Sequence, residues 1–217
     1  MISSTEENYL KTLLHLEEKT GEATANDLSK LLNIKMSTVN SMMKKLAEKG
    51  FVHYESYKPV TLTDTGKKQA ALILRKHRLV EMYLVEKMGF GWEQVHAIAE
   101  QIEHIQSPVF FEKIDELLNH PTADPHGSPI PDKDGNIKPT NFLKLSNCCE
   151  GEQVRFSAVI DSNAEFLQFL TKRNLTLGVI IKIITIEIFD GSMTVSYNGN
   201  KNEVLSRIVC DKLLVTK

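Results

Sequence analysis

Residues 23–62 read "ATANDLSKLLNIKMSTVNSMMKKLAEKGFVHYESYKPVTL", and this stretch decides the fold of the N-terminal part of the chain. "ATANDLSKLL" reads as a helix, Asn33-Ile34 as a short turn, and Lys35 or Ser37 as the opening of a further helix, "STVNSMMKKLAEKG", which Gly50 stops. "FVHYES" and "VTLT" are β-prone and flank "YKP", which predicts a two-stranded hairpin. Upstream, Thr5 is placed to cap a first helix whose apolar residues Tyr9, Leu10, Leu13, Leu14 and Leu16 recur at helical spacing before Gly21. Helix, helix, turn, helix and a two-stranded wing is the order of a winged helix-turn-helix.

In that motif the second helix enters the major groove with its N-terminal side chains on base edges. Here that end is "KMSTVNS", so Lys35, Met36, Ser37, Thr38, Asn40 and Ser41 are the residues expected at bases and nearby phosphates. Lys44 and Lys45 follow one turn later and, with Lys58 in the wing, are placed for phosphates. No arginine is placed to grip guanine, so apolar contacts to thymine methyls and DNA shape must share the work of selection. A three-helix unit for protein contacts is the alternative, but the local charge argues for DNA. Residues 35–78 carry ten Lys and Arg against three acidic residues, whereas residues 79–165 carry six against fifteen. The net charge of −2 hides this segregation, in which one surface suits a polyanion and another suits cations.

The 217 residues and 41% hydrophobic content fit a globular chain of one to three small domains. "MISSTEENYL" lacks the basic and apolar regions of a secretory signal, and "LGVIIKIITIEIF" is interrupted by charge and too short to span a bilayer, which needs about 20 residues. Three cysteines, two of them adjacent, provide neither a disulfide framework nor a C-x-x-C zinc spacing. A reducing cytoplasm is the expected location.

Beyond the wing, helices are expected from about Asp64 to Met88, Trp92 to Gln106 and Val109 to Asn119. Their apolar positions, among them Leu72, Leu79, Tyr83, Val95 and Ile102, are too many for one small bundle to hide, which predicts a helix-mediated homodimer. The Pro-rich residues 120–140 read as an irregular linker, and His15, His53, His120, His126, Cys148 and Cys149 as surface or linker residues. "QVRFSAVI", "VIIKIITIEIF", "MTVSY", "EVLSRIV" and "KLLVTK" read as five strands beside one helix, "NAEFLQFLTKRN", with a hairpin turn at Asn198-Gly199. The expected fold is therefore mainly α with a β-rich C-terminal domain. A winged helix-turn-helix occupies 1–64, a helical dimerisation and metal-binding domain 65–125, a linker 126–147 and a small SH3-like barrel 148–217.

The helix around "HAIAEQIEH" (96–104) is dense in metal-competent side chains. At about 100° per residue, Glu100, Glu103 and His104 fall within an arc of roughly 100° that includes His96. His77 and Glu81, spaced i and i+4, share a face of the preceding helix. Imidazole and carboxylate so placed can clamp a divalent first-row metal, although a solvated polar stripe has the same spacing.

From Thr5 through Pro131 the chain resembles the diphtheria-toxin-repressor family of metal-dependent transcriptional regulators. The motifs that carry the resemblance are "TEENYLKTLLHLEE", the "T-V" recognition helix, "LT-TG", "RKHRL-E", "V-H----IEH" and "G-PIP". The C-terminal region resembles that family's SH3-like third domain. The resemblance implies two metal sites. One comprises His77, Glu81 and His96, completed by an oxygen ligand of the third domain, for which Glu165 or the alternative Asp161 stands here. The other comprises Glu100, Glu103 and His104, joined by Asn8 of the first helix. Where the iron-responsive branch has Met and Cys, this sequence has Asn8 and Glu100, a harder set that suits Mn²⁺, with Fe²⁺ the alternative. Asn8 is neutral where the manganese-responsive branch has Asp. Lys11 replaces an acidic residue that some of those proteins use, which argues against a second metal in the same pocket. The implied function is a metal-activated repressor of metal-uptake genes, acting as a homodimer on a palindromic double-stranded operator. A winged-helix regulator of an organic effector is the rival binding protein. A metalloenzyme is the rival catalyst, but no nucleophile motif or substrate fingerprint accompanies it.

Overall fold

The structure, a computed structural model, describes residues 2–217. Two compact units divide the chain. The first runs up to Val80 and includes Ala99–Leu117 and Ile130–Lys138; the second comprises Glu81–Ile98, Leu118–Pro129 and Pro139–Lys217.

In the first unit, α1 spans Ser4–Thr20 and begins two residues earlier than a cap at Thr5 predicts, because Ser3 and Glu6 form a reciprocal capping box. The five expected apolar residues of α1 are all buried. Thr24 and Asp27 form a second capping box at the start of α2 (Ala25–Leu31). Lys35, not Ser37, is the N-cap of α3 (Met36–Glu48), whose residues Val39, Met43 and Leu46 bury one stripe. The stripe recurs at i, i+4 and i+7, which leaves the other faces of α3 for solvent. The wing consists of β1 (Val52–His53) and β2 (Thr61–Leu62), antiparallel with Val52 opposite Leu62. Gly66 in α4 (Asp64–Met88) is required by packing, since a Cβ there would run into the Phe51 carbonyl.

α5 (His96–Ile102) is much shorter than the expected 92–106 helix. Gln94 closes a turn with Gly91 through both its backbone and its side chain, which delays the helix start to His96. α6 (Pro108–Leu117) starts with proline at its first position, where the missing N–H costs nothing, and leaves Val109 73% and Leu117 49% exposed.

Residues 120–140 form neither helix nor strand, as their proline content predicts, but they are built around two ordered turns. Asp124 and Asp132 build the same turn twice: each carboxylate accepts backbone N–H groups two and four residues on, and a glycine at the fourth position adopts positive φ. In the first unit, Arg75 donates to the Pro131 carbonyl at 2.7 Å and pairs with Asp115 at 2.8 Å, which fastens the second of these turns.

The second unit is built on an antiparallel sheet. Its strands are β3 (Leu143–Lys144), β4 (Gln153–Val159), β5 (Ile180–Ile186), β6 (Met193–Tyr197), β7 (Asn200–Leu205) and β8 (Leu213–Thr216), in the order β3-β8-β4-β5-β6-β7. Helix α7 (Ala164–Lys172) precedes β5, and α8 (Arg207–Lys212) precedes β8. Register shifts in the β4–β8, β5–β6 and β6–β7 pairs bend the sheet, as bulges do. The Asn198-Gly199 turn forms with positive φ at both residues. "EVLSRIV" is not one strand: Ser206 caps α8 and splits the segment between β7 and α8. Cys148 belongs to the sheet's core with Phe156, Leu167 and Ile181 rather than to a linker, whereas Cys149 is exposed. Burial pushes the Cys210 thiol up to about 12, which leaves it an inert core residue.

Candidate metal centre

In the first unit, α1, α4 and α5 bring a set of acids, imidazoles and one ammonium together. Glu103 is fully buried and accepts at 2.5 Å from His77 Nδ1. Lys11 Nζ lies 2.7 and 2.8 Å from the two Glu103 oxygens and 2.5 Å from Glu100 Oε1. Burial works to raise the Glu103 pKa, but the His77 hydrogen bond and the Lys11 charge outweigh it and hold the carboxyl below its ordinary value. Glu103 is thus an anion, the form a metal requires.

His104 is oriented by a residue that the sequence reading passed over. Its Nδ1 lies 2.5 Å from Glu7 Oε2, and Glu7 also takes bonds from Gln106 Nε2 at 3.1 Å and Lys76 Nζ at 3.3 Å. An ionised carboxylate only accepts, so Nδ1 carries the proton and Nε2 keeps its lone pair in neutral His104. That Nε2 lies 3.8 Å from Glu103 Oε1. Two donors each about 2.1 Å from one metal stand roughly 3–4 Å apart, so this pair fits a shared cation. Glu7 then plays the carboxylate–histidine role that fixes ring and tautomer around metals. Asn8, one residue further along α1, has a buried side-chain oxygen with no hydrogen-bond partner. A buried acceptor without a donor carries a desolvation cost that a cation removes. Asn8, Glu100, Glu103 and His104 therefore fit a divalent metal by charge and donor chemistry.

The second unit holds another cluster. Glu81, Asp124 and His126 are buried, and one ligand atom from each lies within 4.8 Å of the others. His126 Nδ1 is 3.6 Å from Glu81 Oε2, while its Nε2 lies 2.9 Å from the Trp92 carbonyl. Burial acts to lower the His126 pKa, but the bond to Glu81 and the charges of Glu81 and Asp124 raise it on balance. The Asp124 turn, pressed onto β4, places His126: the His126 carbonyl accepts from Val159 N–H at 3.0 Å, and a Cβ at Gly127 would strike Ser157.

The residues of the expected triad, His77, Glu81 and His96, each have carboxylate or imidazole neighbours within their own unit. Glu81 pairs with His96 at 3.2 Å and with His126, while His77 belongs to the first unit's network with Glu103. His126 is 4% exposed and far from a linker residue. Of the expected third-domain donors, Glu165 is exposed on the first turn of α7 and joins no candidate metal group among the described residues. Asp161 forms an ion pair with Lys212 at 2.6 Å. A signal for the missed pair does exist in "ADPHGS": an Asp that closes a turn on itself two residues before a His.

On the nucleic-acid face, Lys35, Met36, Ser37, Thr38, Ser41, Lys44 and Lys45 are exposed on or just before α3, and Asn40 is half-buried. Lys45 Nζ is 3.2 Å from the buried Glu6, which Lys49 also holds at 2.6 Å, so Lys45 has a structural partner as well. Lys58 in the wing pairs with exposed Glu55 at 2.8 Å. No helix among the described residues is long and apolar enough to cross a membrane.

Three family models match. Residues 1–60 match the iron-dependent repressor N-terminal DNA-binding domain, residues 63–132 its metal-binding and dimerisation domain, and residues 143–217 the FeoA domain. The iron-dependent repressor IdeR of Mycobacterium tuberculosis is 28% identical over 225 residues, covering 98% of this chain and 97% of the relative. An HTH-type transcriptional regulator of Methanocaldococcus jannaschii is 37% identical over 114 residues, covering 52% of this chain and 91% of that protein. Among solved structures, a manganese-dependent transcriptional repressor in complex with manganese superposes with a TM-score of 0.87 at 28% identity. That match covers 98% of this chain and 99% of the other.

Proposed function

This chain belongs to the iron-dependent repressor family of metal-dependent, DNA-binding repressors, and from that premise we propose that Mn²⁺ is its activating metal. The observation that carries the reading is the first unit's donor set. Glu100, Glu103, His104 and the buried oxygen of Asn8 offer oxygen and nitrogen and no sulfur. Mn²⁺ lies at the weak end of the divalent series, so a site for it must exclude the soft donors that favour its competitors. Fe²⁺ is the next candidate, because the chain is also similar to the iron-dependent IdeR.

Asn8 belongs to α1 of the DNA-binding region, whereas Glu100, Glu103 and His104 lie on or just after α5. A cation held by both would fix α1, and with it the helix-turn-helix, to the α5 segment. In a homodimer this sets the spacing of two α3 helices for two half-sites of a palindromic operator. Metal and operator then strengthen each other's binding, typically by about 1–3 kcal/mol. The Glu81–Asp124–His126 cluster is a second site of the same hard chemistry, with a supporting role. The reading is regulatory and assigns no catalytic step to any residue.

The test is operator affinity measured anaerobically at buffered free Mn²⁺, Fe²⁺ and Zn²⁺. Mn²⁺ is expected to tighten binding at the lowest excess over its physiological level, and Glu103→Ala to abolish the response. Operator affinity indifferent to all three metals would refute metal control, and activation by Fe²⁺ alone would refute the manganese assignment.

A further inference from the structure

We propose that Lys11 is a built-in cation of the first site, whose ammonium competes with the activating metal for Glu100 and Glu103 and so sets the metal concentration at which the site fills. The proposal rests on the reading that these carboxylates bind metal. Lys11 lies on α1, three residues beyond Asn8, and its side chain is only 16% exposed. Its Nζ bridges Glu100 Oε1 at 2.5 Å and both oxygens of Glu103, at 2.7 and 2.8 Å. Glu103 Oε2 is further engaged by His77 Nδ1, so neither oxygen of this fully buried carboxylate is without a positive or proton-bearing neighbour.

Three oxygens that would face a metal thus already face a tethered positive charge. Charge-assisted bonds of this length are among the stronger polar interactions in a protein. A divalent ion cannot take the same oxygens at undiminished affinity. Either the ammonium stays and repels the ion, or its flexible four-carbon stem swings it out and the three bonds are lost. Both routes weaken metal binding. The ammonium also ties α1 to the Glu100–Glu103 segment before any metal arrives, so the metal-free protein already holds part of the arrangement that metal completes.

The two consequences have opposite signs, which separates competition from a merely structural role. Lys11→Met keeps the length of the side chain and removes its charge. In metal-depleted full-length protein it is expected to lower the melting temperature, because two carboxylates lose their counter-charge. In calorimetric Mn²⁺ titration it is expected to tighten the binding component that Glu103→Ala removes by roughly tenfold or more, the scale of one charge-assisted hydrogen bond. Lys11→Arg, which retains the charge, should stay near wild type, and Lys11→Gln serves as the second neutral variant if Lys11→Met does not fold. A neutral variant that binds Mn²⁺ no more tightly than wild type overturns the competition while the metal reading stands. A wild-type protein with no Mn²⁺ component sensitive to Glu103→Ala overturns the reading and the proposal together.

Discussion

The indole of Trp92 and the imidazole of His126 stack with ring centroids 6.0 Å apart and planes at 18°, while the Trp92 carbonyl lies 2.9 Å from His126 Nε2. On its other side, the indole N–H donates to Thr171 Oγ1 of α7 at 2.9 Å. Trp92 therefore links the imidazole of the second cluster to a helix beside the sheet. It fixes the Nε2 proton and so turns Nδ1 toward Glu81, the outer-sphere bond common among metal-bound histidines.

Because Trp92 is the single tryptophan of the chain and stacks on His126, its emission reports on the surroundings of that cluster. Mn²⁺ added to metal-depleted protein is expected to change the emission along a saturable curve. His126→Ala should abolish the change and Glu103→Ala should leave it. The reverse pattern would place the responding metal in the first unit and deny the Glu81–Asp124–His126 group a metal.

Lys44 and Lys45 are neighbours with different obligations. Both are exposed on α3, but Lys45 shares the buried Glu6 carboxylate with Lys49. Lys44→Ala should weaken operator binding similarly on all sequences and make the salt dependence shallower by about one unit of slope, with stability changed by less than about 0.5 kcal/mol. Lys45→Ala should cost DNA affinity and melting temperature together. Affinity measured across a salt series, beside thermal unfolding, checks both. Unchanged operator affinity in Lys44→Ala would mean that α3 does not face the phosphates.

Glu6 provides a pH-dependent contribution to stability. Burial opposes its ionisation, but Lys49, the Ser3 backbone N–H and Lys45 prevail and hold the carboxyl at about 2, against an ordinary 4.5. A carboxylate depressed in the folded state stabilises above its unfolded pKa, and that contribution fades as pH falls from about 4.5 toward 2. At neutral pH the linkage amounts to about 3 kcal/mol at most. Glu6→Gln should therefore unfold at lower urea than wild type at pH 7, with the gap closing steadily below pH 4.5. A gap that stays constant with pH would show that packing, not charge, is what the substitution removes.

The winged helix was legible because its signals are local: caps, a 3.6-residue apolar stripe and a β-prone hairpin all lie within a few residues of one another. The face of His96–His104 was legible for the same reason, as helical spacing alone lines up Glu100, Glu103 and His104. What escaped were pairings across long sequence separation. Glu7 meets His104 ninety-seven positions away. Glu81 meets His126 through a segment whose prolines and glycine read as linker, because an Asx turn and a disordered loop share a composition. In the sequence Lys11 reads as a missing acid; only the folded structure reveals it as the ammonium between the carboxylates of Glu100 and Glu103.

Metal preference is the property most exposed to a single substitution. Glu100 is the carboxylate that makes the first site an all oxygen-and-nitrogen set, and it now faces Lys11 rather than solvent alone. Glu100→Cys supplies a thiolate, which favours softer, later metals over Mn²⁺. It also removes one of the two carboxylates that hold the Lys11 ammonium. Asn8→Met adds a thioether where the present side-chain oxygen is buried and unpartnered, so little hydrogen bonding is lost from the metal-free fold. The double variant is expected to respond less to Mn²⁺ and more to Fe²⁺ or Co²⁺, measured as operator affinity at buffered free metal. The single Glu100→Cys variant should shift the same way by a smaller step, since only one of the two soft donors is present. If the order of metals stays as in wild type for both variants, Glu100 does not set the preference, and the manganese assignment must rest on some residue other than the one that carries it here.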